Sequence, residues 1–291
     1  MKQTLLVPFA AALLLATLAA VASPVEPPAG FGVRSTGSLR QVHYSEGAGH
    51  VPNHIDRAAI EEFCKFAMEQ GVAQRMPEFG PGYDEPARTR SVQFRTPDAT
   101  QTATFTEATL YGCDDPAKLK HGNECACNYR RNVEHQIEIT HWKAGRLNRW
   151  SATLETAKGT HAIIPRPSPL KDPPHPDALE TVFGPVIGNG SAAGFKCELR
   201  QLTAGPAIRQ ACFALPDPRL PKIMWGEPLS TDSHVPTTPR MRLGYELQRL
   251  EVDVEVDSGV FDPPTGIAYR ERSGPALKEE IGRASCRERV S

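Results

Sequence analysis

The chain opens on an almost uninterrupted apolar run from Leu5 to Val21, preceded by the single cation Lys2 and closed by Ala20-Val21-Ala22. Cation, apolar stretch and small-residue end, in that order, form the layout of a secretory signal. The pattern predicts a signal peptide over residues 1–22, cut between Ala22 and Ser23. A membrane anchor would need ~20 apolar residues, and this Ala-rich run falls short of that. Residues 23–38 are rich in Pro, Gly and Ser and read as a flexible leader.

A helical period follows over residues 53–70. Asn53 is placed to cap it, and Ala59, Ile60, Phe63, Cys64 and Ala67 fall on one stripe. The period then changes to two. Val92 to Arg95 and Ala103 to Tyr111 read as strands. Val133 to His141 alternates cleanly, with Val133, His135, Ile137, Ile139 and His141 on one face and Glu134, Gln136, Glu138 and Thr140 on the other. Proline occupies six of the twelve positions of 165–176, which favours an extended connection between an N-terminal lobe, 39–164, and an antiparallel sheet lobe, 177–280.

In the second lobe, Phe195 to Leu202 and Ile208 to Leu215 flank Ala204-Gly205-Pro206. A hairpin centred on Ala204-Gly205 sets Cys197 opposite Cys212, a hydrogen-bonded position whose wide Cα spacing calls for a bulge or a shifted turn. In the strand Tyr245 to Val256, Tyr245 and Leu247 are out of phase with Leu250, Val252, Val254 and Val256, which predicts a β-bulge near Gln248 or Arg249. Glu251, Asp253 and Glu255 then form a solvated outer row.

The carboxyl end changes the arithmetic of composition. Residues 281–290 read IGRASCRERV and resemble one translated frame of a common sequencing adapter, so 281–291 is expected to be a non-native tail. Its three Arg and one Glu, once set aside, take the net charge from −1 to −3, and neither value points to a nucleic-acid partner. Of the seven cysteines, Cys286 lies in the tail; Cys64, Cys113, Cys125, Cys127, Cys197 and Cys212 remain. An even set in an exported chain reads as up to three disulfides, with Cys197–Cys212 the best single pairing. Cys125 and Cys127 project to one side of an extended segment, which lets one meet Cys113 and the other Cys64.

Four short stretches carry a further resemblance. Gly194-Phe195-Lys196-Cys197 opens a strand, Pro216-Asp217-Pro218 follows its partner, Gly244-Tyr245-Glu246 opens the long strand, and Val260-Phe261-Asp262-Pro263-Pro264-Thr265-Gly266 closes it. In that order they resemble the LolA-like periplasmic superfamily, which includes the lipoprotein carriers, over about residues 182–271. The resemblance implies an α+β fold: a curved, half-barrel-like antiparallel sheet wrapped over one or a few helices, here disulfide-stapled, with a concave side that holds an acyl chain or another apolar ligand. The first lobe has no counterpart in it, and no binding residue carries over.

Candidate chemistry is sparse. Cys113, His121, Cys125 and Cys127 could supply four soft or borderline ligands to a metal, but they lack a CxxC knuckle, and an oxidising compartment favours disulfides. His135 and His141 stand about 20 Å apart along a strand, too far to share a proton or an ion. His50 and His54 have helical metal-pair spacing but straddle Pro52. Ser191 lacks the flanking glycines of a nucleophile elbow, whereas Asn189-Gly190 reads as a hairpin turn and Asn189-Gly190-Ser191 as a glycosylation acceptor. The expectation is an exported, periplasmic or secreted, non-enzymatic envelope protein. It needs no cofactor, has no membrane span once the signal is cut, and binds a lipid, another apolar ligand or an envelope protein. A metal-binding protein or metal-dependent enzyme built on the Cys113–Cys127 segment is the alternative.

Overall fold

The segments with period-two patterning join a single sheet. The computed structural model describes residues 31, 37–51, 57–115, 118, 124–165 and 176–272. Thirteen strands run in chain order: β1 (Ser38–Val51), β2 (Glu78–Phe79), β3 (Ala87–Arg95), β4 (Gln101–Cys113), β5 (Asn128–Lys143), β6 (Arg146–Thr153), β7 (Lys158–Pro165), β8 (Val186–Ala192), β9 (Phe195–Ala204), β10 (Ala207–Ala214), β11 (Pro228–Val235), β12 (Thr238–Asp257) and β13 (Ala268–Arg272). Across the sheet they lie in the order β13-β7-β6-β5-β4-β3-β1-β12-β11-β10-β9-β8, with β2 alongside β5. Two helices are described, α1 (Arg57–Glu69) and α2 (Pro176–Phe183).

This overturns the α+β half-barrel expected from the sequence. The fold is predominantly β, the sheet is open, and it is mixed because β13–β7 and β2–β5 are parallel. The physical reason lies in β1. It pairs with β3 of the N-terminal half on one side and with β12 of the C-terminal half on the other, so strands read as two lobes share one ladder. The signal peptide, the Asn53 cap, residues 166–175 of the proline-rich connection and the tail lie outside the described residues. Within the stretch read as a leader, Phe31 is 2% exposed and packs edge-on against Phe105 and His135.

Two main cores pack against the sheet. Residues directly opposite in a ladder share a face. Tyr44 and Phe94 are such a pair, and they join Val42, Phe105, Ile137, Ile139, Val256 and Phe261 in the first core. Gly47 stands opposite both Ser91 and Leu247, on the other face of β1, and Leu247 belongs to the second core, which also takes in Cys197, Cys212, Leu220 and Leu229.

Strand β12 serves both cores because two of the three register shifts in its ladder with β1 insert an extra residue on β12. The pairs Glu46↔Arg249 and Gly47↔Leu247 make Gln248 the extra residue of the first bulge, so Leu247 and Leu250 share a face. Between Tyr44↔Glu251 and Val42↔Val254 a second extra residue enters, with Asp253 at φ 57°, and it turns Val254 and Val256 toward the first core. The expected common face for Leu250, Val252, Val254 and Val256 is therefore divided, and Val252 at the crossover is 40% exposed.

On α1 the buried stripe is narrower than its period suggested. Cys64 and Ala67 are buried, whereas Phe63 and Phe66 are 48% and 61% exposed. The small contact through Cys64, Ala67 and Cys125 is enough to seat the helix because a disulfide anchors it.

Candidate functional site

The six cysteines form three disulfides: Cys64–Cys125, Cys113–Cys127 and Cys197–Cys212, with Cα separations of 5.5, 5.1 and 5.2 Å. The first ties α1 to the 3-10 turn Glu124–Ala126, the second closes the β4–β5 pair, and the third crosslinks β9 and β10. In the β9–β10 hairpin Ala204 pairs with Ala207, so Gly205-Pro206 is the turn. Cys197 stands opposite Ala214 and Cys212 opposite Leu199, and the disulfide runs diagonally rather than between facing residues. A disulfide sulfur is not a thiolate, so Cys113, Cys125 and Cys127 offer no metal ligand in this form. His121 and His54 lie outside the described residues.

The two strand histidines hold the sheet to its surroundings. His135 Nδ1 and its backbone N–H both bond the Glu155 carboxylate, the ring contact at 2.7 Å, and His141 Nε2 lies 2.7 Å from the Phe261 carbonyl. Asn189-Gly190 lies inside β8; the β8–β9 turn is Ala193-Gly194, with φ of 51° and 79°, as a two-residue hairpin of the primed type requires. Glu251 pairs with Arg249, and Asp253 is exposed.

The feature with the shape of a site was not singled out from the sequence. A cleft of about 1490 Å³ opens beside the second core. Its floor is Tyr245 and Leu247 of β12 with Leu229 of β11, and its far wall is Phe213, Met224 and Trp225. The near side is polar and comes from the other half of the chain: Ser45 of β1 and Ser91, Gln93 and Arg95 of β3. The volume exceeds the roughly 300–1,000 Å³ of common small-molecule pockets and suits an elongated ligand.

Local geometry explains why these groups stand where they do. A Cβ at Gly47 would lie 2.2 Å from the Tyr245 ring, so glycine there lets the tyrosine lie flat across β1. Burial pushes the Tyr245 hydroxyl up to about 12, with Arg95 opposing and Glu227 assisting the shift, so it stays a neutral donor. Arg95 bridges the halves, reaching Glu227 at 3.2 Å and Gln93 at 3.1 Å. Arg200, only 8% exposed, is held by Glu198 at 2.8 Å and the Gly184 carbonyl at 3.3 Å. Trp225 Nε1 is buried and has no hydrogen-bond partner among the described residues. An orphaned indole N–H costs roughly 1–3 kcal/mol, which a ligand acceptor would recover. Lys222 stands exposed at the cleft mouth.

The sequence signal for this site was the stretch Leu220 to Pro228. It concentrates Met224 and Trp225 between Pro221 and Pro228, too broken for helix or strand yet rich in large apolar groups.

No family model matches the chain, and no curated protein matches it. Solved structures of PNGF-II in space groups P21 and C2 are similar to it, with TM-scores of 0.35 and 0.34, 9% sequence identity and 84% of this chain covered. The aligned region spans about a third of PNGF-II, 34% and 33% of those chains. The three disulfides are consistent with a secreted or extracellular protein. Among the described residues no helix is long and apolar enough to cross a membrane.

Proposed function

We propose that this chain is an exported binding protein, delivered to the periplasm or the extracellular medium, whose cleft takes a ligand with an elongated apolar body. The observation that supports this reading is the cleft lining: Phe213, Met224, Trp225, Leu229, Tyr245 and Leu247 form one apolar wall and floor, bordered by Ser91, Gln93 and the Arg95–Glu227 pair. An apolar surface with a few fixed polar groups is the usual composition of a ligand site. The polar border orients the ligand, and the Trp225 N–H offers it one directional hydrogen bond.

The test uses the disulfide-bonded protein secreted from an oxidising compartment. Organic extraction followed by mass spectrometry should release a stoichiometric apolar compound. A fluorescent fatty-acid probe should bind saturably and perturb tryptophan emission. Met224→Glu, which places a charge on the half-buried wall, should weaken probe binding about tenfold or more, equivalent to about 1.4 kcal/mol. An empty extract together with no saturable probe binding overturns the proposal.

A further inference from the structure

Strand β8 ends the sheet, and among the described residues its outer edge has no partner strand. Open edges are normally blunted by lysine, proline or covering elements, because unpaired backbone groups template association with another chain. The sequence of β8, Val-Ile-Gly-Asn-Gly-Ser-Ala, contains neither a charge nor a proline, and Val186 and Ile187 are 49% and 51% exposed. What it does contain is Asn189-Gly190-Ser191, the one Asn-x-Ser/Thr acceptor in the chain.

The fold gives that motif a direction. A Cβ at Gly190 would lie 2.8 Å from Cys212 Sγ and 3.6 Å from Cys197 Sγ, so position 190 faces the second core, against the disulfide. Strand alternation then sends Asn189 and Ser191 to the opposite side, and both are exposed. Their ladder partners there are Lys196, which is exposed, and Glu198, which stands opposite Phe213 and also lines the cleft.

We infer that Asn189 carries an N-linked glycan, added during secretion, and that this glycan shields the β8 edge. In the transfer, the Asn189 side-chain nitrogen attacks the anomeric carbon of an oligosaccharide carried on a polyprenyl pyrophosphate. The new C–N bond forms as the bond from that carbon to the pyrophosphate oxygen breaks. The pyrophosphate leaves with the electron pair, and the amide nitrogen gives up one proton. Ser191 is read by the transferase and is not consumed. The inference is independent of what the cleft binds.

The experiment is secretion of the full chain, with its own leader, from a eukaryotic cell line. Peptide N-glycosidase should shift the secreted protein by one glycan and leave Asp at position 189 in the peptide map. Asn189→Gln and Ser191→Ala should each abolish the shift, and Ser191→Thr should keep it. Secreted wild-type protein with all three disulfides and an unmodified Asn189 overturns the assignment. For the shielding role, glycan-free protein should self-associate about tenfold more tightly in sedimentation, and Val186→Lys should reverse this by charging the edge. A glycan-free protein that sediments identically to the glycosylated one overturns that role.

Discussion

Gly47 shows how much one missing side chain decides in this protein. The Tyr245 ring lies where a Cβ on residue 47 would go, so Gly47→Ala must lift the tyrosine out of the cleft floor. Overpacking of this kind costs about 1–3 kcal/mol. The variant should therefore unfold at lower urea concentration and lose probe affinity together; full stability with unchanged affinity would contradict the placement of Tyr245. His43 provides a pH test. Burial lowers it below the ordinary 6.5, Arg95 adds to the lowering and Asp253 opposes it, and its Nδ1 is buried without a hydrogen bond. A depressed histidine is neutral in the fold and takes up a proton on unfolding, so its stabilisation is present above 6.5 and is lost as the pH falls through the lowered folded value. Burial, together with Arg242 and Arg88, lowers His50 in the same sense. The melting temperature should fall as the pH drops below 6.5, and His43→Gln should flatten that fall. An unchanged slope in the variant would remove His43 from the account. The sequence marked neither Gly47 nor His43, because glycine and histidine acquire their roles from the strand that happens to lie opposite.

Among the elements, the disulfides differ in what they close. Cys64–Cys125 spans 61 residues and Cys197–Cys212 spans 15. Loop-closure entropy gives about 4 kcal/mol for the longer and about 3 for the shorter. The Cys64→Ala/Cys125→Ala variant should accordingly lose about 1 kcal/mol more in urea denaturation than the Cys197→Ala/Cys212→Ala variant, with equal losses counting against the entropic account. Much at this scale could be read directly. The strand near Val133 to His141 and the phase slip at Gln248 follow from period-two alternation, which depends only on nearest neighbours along the chain. The second slip, at Asp253, was hidden because Val252, Val254 and Val256 keep an unbroken alternation while the backbone turns them to different faces. The hairpin turns were displaced for a similar reason: Gly190 accommodates a disulfide and not a turn, a demand that comes from β10.

For the whole molecule, the shared ladder between β1 and β12 predicts one cooperative unit. Calorimetric and van't Hoff enthalpies of unfolding should agree, and the separate segments 39–164 and 177–280 should not fold alone, since each leaves a long edge and half of the cleft exposed. Two resolved calorimetric transitions would contradict this and support the two-lobe division. The overall fold was the least legible level. Composition and patterning indicate strands, but the pairing of the first strand with the twelfth is a contact between distant segments, and no local pattern encodes it. The cleft was hidden for the same reason, because its polar side and its apolar floor come from opposite ends of the chain.

That pairing also sets a timetable for synthesis. Ser38 emerges from the ribosome early but finds its partner only when Asp257 follows. Until then β1 can zip against β3 on one side alone, and the nascent chain carries that seam open. A pause or truncation before the twelfth strand would release an incomplete sheet ready to pair with any other, so quality control for this protein rests on the last fifth of its translation.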